Sequence, residues 1–474
     1  MLETLAKRLT IKLLSNNEKL HKVTTASLES IVRNELFQTL QPTLATLPSQ
    51  NFEPGGSYLS STVLSNLLKI AEGRISRVGD IVNCTIDAWS MYCNKKFLSQ
   101  EQEAFDLKAL SGDSHRGGFR PFILKASEVK PMVIKFADPR PYQILAEILA
   151  RLSRSLSIDL IPPPCFSAPD NRWYFIDYID EKDGDICSGP AALMFGMGVL
   201  ASVAFSLGFV DLHLENVIIR GSKPIIIDPE CIFYCFSESE TISERLLSTG
   251  FLSHNVHLSA LRGGISESVP LYDFSMCVGS DGLLRFKKPV STHRNKIRLV
   301  DGLFADPCNY RNELLAGYCA GYRWFVENAD QVSSLIDAHV HNDFRVRFLA
   351  RKTRHYASVM YMLNLPIEED YDSWVEHVFK RFRGSGYFPE SISEKLLSAE
   401  IEDMKGRDIP YFWLKAGENG IVMHQSGMVH HLNLRNSLKK MAINHLRMLN
   451  NGDLAEHISV INNFLDIDIS LPLN

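Results

Sequence analysis

No Cys-x-x-Cys pair and no Cys/His cluster occurs in this 474-residue sequence, which excludes a structural zinc site of the usual spacing. The nine cysteines are odd in number and follow no framework: three residues separate Cys231 from Cys235, and eight separate Cys84 from Cys93. Free buried thiols in a reducing cytosol account for this pattern better than a disulfide scaffold does. A surplus of positive charge is missing too. Net charge is −5, with Lys and Arg mixed among acids, so there is no broad field to attract nucleic acid or an anionic membrane. The first 22 residues read as a charged, periodic helix without an apolar centre, not as a secretory signal. The expected location is the cytoplasm.

What is there is an ordinary soluble composition, 45% hydrophobic and 22% charged, long enough for two or three domains and a large core. Residues 191–210 form an uncharged run of the length a spanning helix needs. The run holds three glycines and two serines and leads straight into Asp211. A buried helix delivering a catalytic loop explains it better than a membrane span.

Residues 211–230 are the organising stretch. Two apolar runs, Val217–Arg220 and 224–227, flank Gly221-Ser222 and predict a β-hairpin with a glycine turn. Asp211, His213 and Asn216 precede the first strand, and Asp228 and Glu230 follow the second. A hairpin brings its outer ends together, so these side chains can converge. An Asp, an Asn, a hairpin and a second Asp follow the catalytic-loop logic of kinase-like phosphotransferases. In that logic Asp211 orients or deprotonates the attacking hydroxyl. Asn216 and Asp228 offer oxygens to Mg²⁺, a hard cation that prefers them. The competing reading is a surface hairpin with solvated acidic ends.

In chain order, residues 1–100 are expected to be mainly helical, with apolar periodicity at 28–40 and 63–70 and a polar loop at 41–57. Residues 111–118 make a Gly-rich polar loop that lacks the full Gly-x-Gly-x-x-Gly pattern and is a weak phosphate cradle by itself. Phe122–Lys125 and 131–136 read as paired strands. The second carries Lys135, where kinase-like folds place the lysine that holds the α- and β-phosphates. A helix at 141–156 puts Ile144, Ile148 and Leu152 on one face and offers Glu147 as an ion-pair partner for Lys135. Three prolines at 162–164 make a stiff turn. Residues 173–179 are a strand suited to a hinge between two lobes, and 235–300 is a candidate activation-type segment. From 310 onward helices return, clearest at 314–325, 344–363 and 432–449. Arg345, Arg347, Arg351 and Arg354 would share one short helix, ordinarily a solvated basic face. Thr353 would then lie roughly 240° around from Arg347 and off its face.

Several segments together resemble the dehydratase domain of class II lanthipeptide synthetases, the LanM type. They are Gly112-Asp113-Ser114-His115, the strand ending in Lys135, Asp211-x-His213-x-x-Asn216 and Asp228-x-Glu230. Three more follow: Leu315-Ala-Gly317-Tyr318, Arg347-x-x-x-Arg351-x-Thr353-x-x-Tyr356 and Asp408-Ile-Pro410-Tyr-Phe412. They occur in the family's order over about residues 105 to 470.

The resemblance implies an α+β fold. Its two-lobed, lipid-kinase-like core (105–310) lies between a helical N-terminal cap (1–104) for peptide recognition and a helical C-terminal part (311–474). It implies that ATP phosphorylates a Ser or Thr of a precursor peptide and that phosphate is then eliminated. Phosphorylation would use Lys135, Asp211, His213, Asn216 and Asp228, with Glu147 and Glu230 beside the nucleotide and Asn216 and Asp228 on Mg²⁺. Elimination would use Asp113, His115, Arg347 and Thr353. Histidine moves protons near neutral pH, and arginine grips phosphate through two N–H groups. The family's cyclase domain and its Cys/His ligands have no counterpart here, so ring formation is expected to need a separate cyclase. The region before Gly112 is shorter than usual and leaves the substrate open. The alternative function is a kinase-only enzyme of this fold acting on a protein, lipid or small molecule.

Overall fold

The computed structural model describes residues 2–46, 61–96, 104–110, 114–116, 118–127, 129–179, 186–187, 189–235, 240–262, 275–278, 284–287, 298–299, 305–351, 353–363, 371–384 and 393–467. Three helices come first: α1 (Leu2–Asn16), α2 (Thr25–Thr46) and α3 (Ser61–Lys96). Next are β1 (Asp106–Ala109), β2 (Phe122–Lys125), β3 (Met132–Lys135), α4 (Arg140–Leu156), β4 (Cys165–Ser167), β5 (Tyr174–Asp177) and β6 (Ile186–Cys187). The middle holds α5 (Pro190–Ser206), β7 (Val217–Arg220), β8 (Lys223–Ile226), α6 (Ile242–Ser248), β9 (Ser275–Val278), β10 (Leu284–Lys287) and β11 (Arg298–Leu299). Then follow α7 (Arg311–Glu327), α8 (Ala329–His339), β12 (Arg345–Phe348), α9 (Thr353–Leu363), α10 (Tyr371–Gly384) and α11 (Glu394–Lys405). The last elements are β13 (Phe412–Lys415), β14 (Ile421–His424), β15 (Gly427–His431), α12 (Leu438–Met448) and α13 (Leu454–Leu465). The protein is α+β.

Strands β1 to β5 form one antiparallel sheet in the order β1-β2-β3-β5-β4, with α4 connecting β3 to β4. Strand alternation sorts its side chains. Phe122, Leu124, Met132, Ile134 and Phe175 face the N-terminal helices and share a core with Leu28, Val32 and Trp89. Ile123, Val133 and Ile176 face the other way. Covered on one side and lining a cavity on the other, β2 and β3 read as continuous apolar runs. The sheet and α1–α3 therefore stand on a common core.

The helix α5 is apolar all round and buried from Leu193 to Ser206 apart from Phe195, as a helix inside a globule must be. Among the described residues no helix is long and apolar enough to cross a membrane. Its partner α7 approaches so closely that a Cβ at Gly317 would collide with the Phe195 carbonyl, and one at Gly198 with that of Leu314. This contact explains the glycine in Leu315-Ala-Gly317-Tyr318.

Three expectations need correcting. Residues 344–363 are not one helix: Arg345–Phe348 is the edge strand of a sheet ordered β12-β13-β14-β15, and a helix starts only at Thr353. Arg-Val-Arg-Phe alternates polar and apolar, a period of two, and Val346 is buried opposite Leu414. Residues 432–449 are also not one helix; β15 ends at His431, and α12 begins at Leu438 behind the capping hydroxyl of Ser437. Residues 41–46, expected in a loop, continue α2 through Thr46, and the rest of that expected loop lies outside the described residues. Part of the 235–300 segment lies outside the described residues.

Candidate active site

The hairpin forms as its sequence predicts, β7 pairing with β8 from Val217↔Ile226 to Arg220↔Lys223 around Gly221. Its open end is closed by the N–H of Ile227, which donates to the Asn216 carbonyl (3.0 Å). Asn216 Nδ2 in turn donates to the Asp211 carbonyl (2.7 Å). Asp211 sits at φ +67°, a left-handed conformation that Asp tolerates better than most residues but that still costs energy. Such strain is held in place by surrounding contacts, here partly by Gly250. A Cβ on Gly250 would lie 2.7 Å from the Leu212 nitrogen, so only glycine lets the segment after α6 pack under the loop. His213 accepts the Glu215 N–H at Nδ1 (3.2 Å), which leaves its proton on Nε2, 3.7 Å from Asp211 Oδ1.

Across the cleft, Lys135 projects from the end of β3. Its ammonium donates to the Ile227 carbonyl (2.8 Å) and pairs with Asp228 Oδ2 (3.0 Å). Asp228 Oδ1 is buried without a hydrogen-bond partner. Glu147 is not the partner of Lys135. It pairs with Arg151 one turn along α4 (2.6 Å) and faces His339 (3.8 Å), because it lies on the half-exposed side of the helix.

Arg347 enters from β12. Its backbone N–H donates to the Glu230 carbonyl (3.0 Å), stitching the strand to the segment after the hairpin. The chain turns behind it on a buried pair, Arg351 with Glu400 (2.8 and 3.0 Å), which Tyr356 joins through its hydroxyl (2.7 Å). This break between strand and helix brings Thr353, the first residue of α9, to the same cavity as Arg347; one continuous helix would have separated them.

His115 donates from Nδ1 to the Ile409 carbonyl (2.8 Å), which leaves the Nε2 lone pair toward Arg347 Nη2 (3.4 Å). Burial, helped by the Arg347 charge, holds the imidazole well below the usual histidine range, so it stays neutral. Burial raises the Glu230 carboxyl, and Asp228 adds to this. Burial alone would weaken the Arg347 cation, but Glu230, Cys231 and Asp211 outweigh it and keep the guanidinium charged.

One cavity of about 690 Å³ joins both sets. Lys135, Asp211, His213, Asn216, Asp228 and Glu230 line it, and so do His115, Arg347 and Thr353. Ile123, Val133 and Ile176 lie on its sheet side and Ile218 and Ile227 on the hairpin side. An apolar slot beside a few convergent polar groups is the usual form of a small-ligand site. Of the expected residues, Glu147 is elsewhere and Asp113 lies outside the described residues.

The model of a family described as a domain of unknown function (DUF4135) matches residues 87–415. The chain belongs to that family. It is also 24% identical over 268 residues to the lacticin 481/lactococcin biosynthesis protein LcnDR2 of Lactococcus lactis subsp. lactis. The match takes in 52% of this chain and 28% of that protein, so the chain spans well under half the length of this relative. The two findings bear out the LanM-type resemblance carried by the motifs.

One residue of this DUF4135 member has surroundings that its motif does not announce. Tyr411, in Asp408-Ile-Pro410-Tyr-Phe412, donates its hydroxyl to Glu230 Oε2 (2.9 Å). Its ring lies 4.3 Å from the Arg116 guanidinium and 5.4 Å from that of Arg347. The same motif reaches the N-terminal helices, for buried Asp408 pairs with Arg74 (3.0 Å) and accepts from Ser114 Oγ (2.8 Å). A tyrosine between two apolar residues carries no local signal of this role.

Proposed function

We propose that this LanM-like protein takes part in lanthipeptide modification as an ATP- and Mg²⁺-dependent dehydratase of Ser and Thr in a precursor peptide. The observation that carries the reading is the convergence of the phosphorylation set and the elimination set on one cavity. The topology supports a kinase-like core: a five-stranded sheet with a lysine ending β3, then a loop, hairpin and aspartate on the facing side. On this reading 105–310 is that core, 1–104 caps it, and 311–474 supplies Arg347 and Thr353. The cytoplasm is the compartment on this reading.

Asp211 accepts the proton of the substrate hydroxyl while that oxygen takes the γ-phosphoryl group of ATP, and ADP leaves with the electron pair of the broken bond to the γ-phosphorus. Lys135 holds phosphate oxygens. The orphaned Asp228 Oδ1 is an acceptor without a donor and fits a hard cation, so Asp228 and Asn216 are the residues that would hold Mg²⁺. When bound, the ion supplies positive charge beside the phosphates. For the second step, neutral His115 has a lone pair at Nε2 to receive the α-proton. Arg347, charged and facing the cavity, receives the departing phosphate.

The test is mass spectrometry of a reacted precursor peptide. Wild type yields a peptide lighter by one water per site. His115→Ala yields a peptide heavier by one phosphate group. If wild type stops at the phosphorylated peptide with every substrate, the dehydratase reading fails and a kinase-only enzyme replaces it.

A further inference from the structure

We propose that Tyr411 is a positioning residue for phosphate elimination, holding the Arg347 guanidinium and the Glu230 carboxyl in register; the proposal rests on the dehydratase reading above. In that step the α-proton passes to a base and its bonding pair becomes the Cα=Cβ bond. The Cβ–O bond breaks, and inorganic phosphate leaves with the electron pair of that Cβ–O bond. The guanidinium must meet the leaving oxygens at one place, since a misplacement of about 1 Å costs on the order of 10²-fold.

No ion pair fixes Arg347 among the described residues. Its guanidinium has one long contact, to His115, and the face of the Tyr411 ring. That arrangement sets its direction yet leaves N–H groups for an anion, which a carboxylate partner would have taken. Tyr411 also ties the ring to the nucleotide side, because its hydroxyl donates to Glu230, two residues from Asp228.

The tyrosine is itself held rigidly. Its N–H donates to Asp403 Oδ2 (3.3 Å), and buried His424 anchors the same oxygen (3.1 Å). Just before it, the Ile409 carbonyl accepts the hydrogen bond from His115 Nδ1, and the Ile409 N–H donates to the Ser114 carbonyl (2.8 Å). Residues 409–411 thus fix the base from one side and the phosphate-binding cation from the other. Together Asp403, His424 and Ser426 line up like a catalytic triad, but the imidazole is buried and does not line the cavity that holds Arg347. Their work is to hold Tyr411.

Two variants separate its contributions. Tyr411→Phe keeps the ring and deletes the bond to Glu230; Tyr411→Leu deletes both. Each is reacted with precursor peptide, and phosphopeptide and dehydrated peptide are followed over time, with thermal melting to confirm folding. Phosphopeptide should accumulate in both, with elimination slowed about tenfold in Tyr411→Phe, the scale of one buried hydrogen bond to an acid. In Tyr411→Leu it should slow on the order of 10²-fold. Should the leucine variant not fold, the phenylalanine variant decides. Variants that dehydrate at the wild-type ratio of the two products overturn the role of Tyr411 alone. A wild type that never passes the phosphopeptide overturns the dehydratase reading and this inference with it.

Discussion

Gly317→Ala and Gly73→Ala make the same chemical change, and the structure gives them opposite signs. Gly73 sits on the exposed side of α3, and nothing lies within 4 Å of an added Cβ. Alanine there gains helix propensity, about 0.8–1 kcal/mol. Gly317 gains the same, but its Cβ would collide with the Phe195 carbonyl oxygen and sit 2.8 Å from the carbonyl carbon and 3.0 Å from Cα. Carbon atoms prefer about 3.5–4.0 Å, and the obstacle is helix backbone, which cannot rotate away as a side chain would. The two helices must part. Overpacking of this kind costs about 1–3 kcal/mol and occasionally more. Because α5 is buried along its length, we take the upper end, a net loss of about 2 kcal/mol after the propensity gain. Urea unfolding of both variants beside wild type measures this directly: the Gly73 variant should unfold at higher urea and the Gly317 variant at lower. As α5 runs into Asp211, the Gly317 variant should also lose activity. A Gly317→Ala protein as stable as wild type would refute the backbone-contact argument.

Asp211→Asn should still bind an ATP analogue with Mg²⁺ while phosphoryl transfer falls on the order of 10²-fold or more; undiminished ATP turnover would remove Asp211 from that role. Arg351→Met leaves Glu400 buried without its counter-charge, held only by the Tyr356 hydroxyl, and should cost about 3–5 kcal/mol, while adding Glu400→Leu should recover most of it, both read by urea midpoint. Burial holds His445 and His457 down at about 4, against ~6.5 in the unfolded chain. Above pH ~6.5 both states are neutral and stability is unaffected. As pH falls toward 4 the unfolded chain takes up protons that the folded one refuses, so stability drops by up to ~1.4 kcal/mol per pH unit per histidine. Comparing wild type with His457→Gln across that range should show a shallower slope in the variant, and equal slopes would count against the buried neutral histidine.

Much of the site's local framework is legible in the sequence. The hairpin, the lysine at the end of β3 and the apolar helix leading into Asp211 are local patterns. A period of two, a glycine turn and a run without charges each need only a few neighbouring residues to be recognised. A hairpin must bring its ends together, so Asp211, Asn216 and Asp228 could be grouped from sequence alone. The left-handed backbone at Asp211 has no such signature: it packs against Gly250, thirty-nine positions away in the chain, where a side chain would collide with Leu212.

Tertiary structure decided the rest. Residues 344–363, with four arginines between 345 and 354, read as a helix, yet pairing with β13 makes the first two arginines part of a strand, because Val346 has a core position to fill opposite Leu414. That choice carries Arg347 to Glu230 and, through the turn on Arg351 and Glu400, brings Thr353 to the cavity. The partner of Lys135 was also a tertiary matter. Glu147 stood at a plausible distance along the chain, but the rotation of α4, set by burying Ile144, Ile148 and Leu152, turned it toward Arg151 and His339. Tyr411 shows the limit most plainly: its role is defined by Glu230, Arg116, Arg347 and His115, which reach it from distant parts of the chain. Local sequence determines which elements can form. Which of their side chains meet depends on how the buried faces pack, and that is a property of the whole chain.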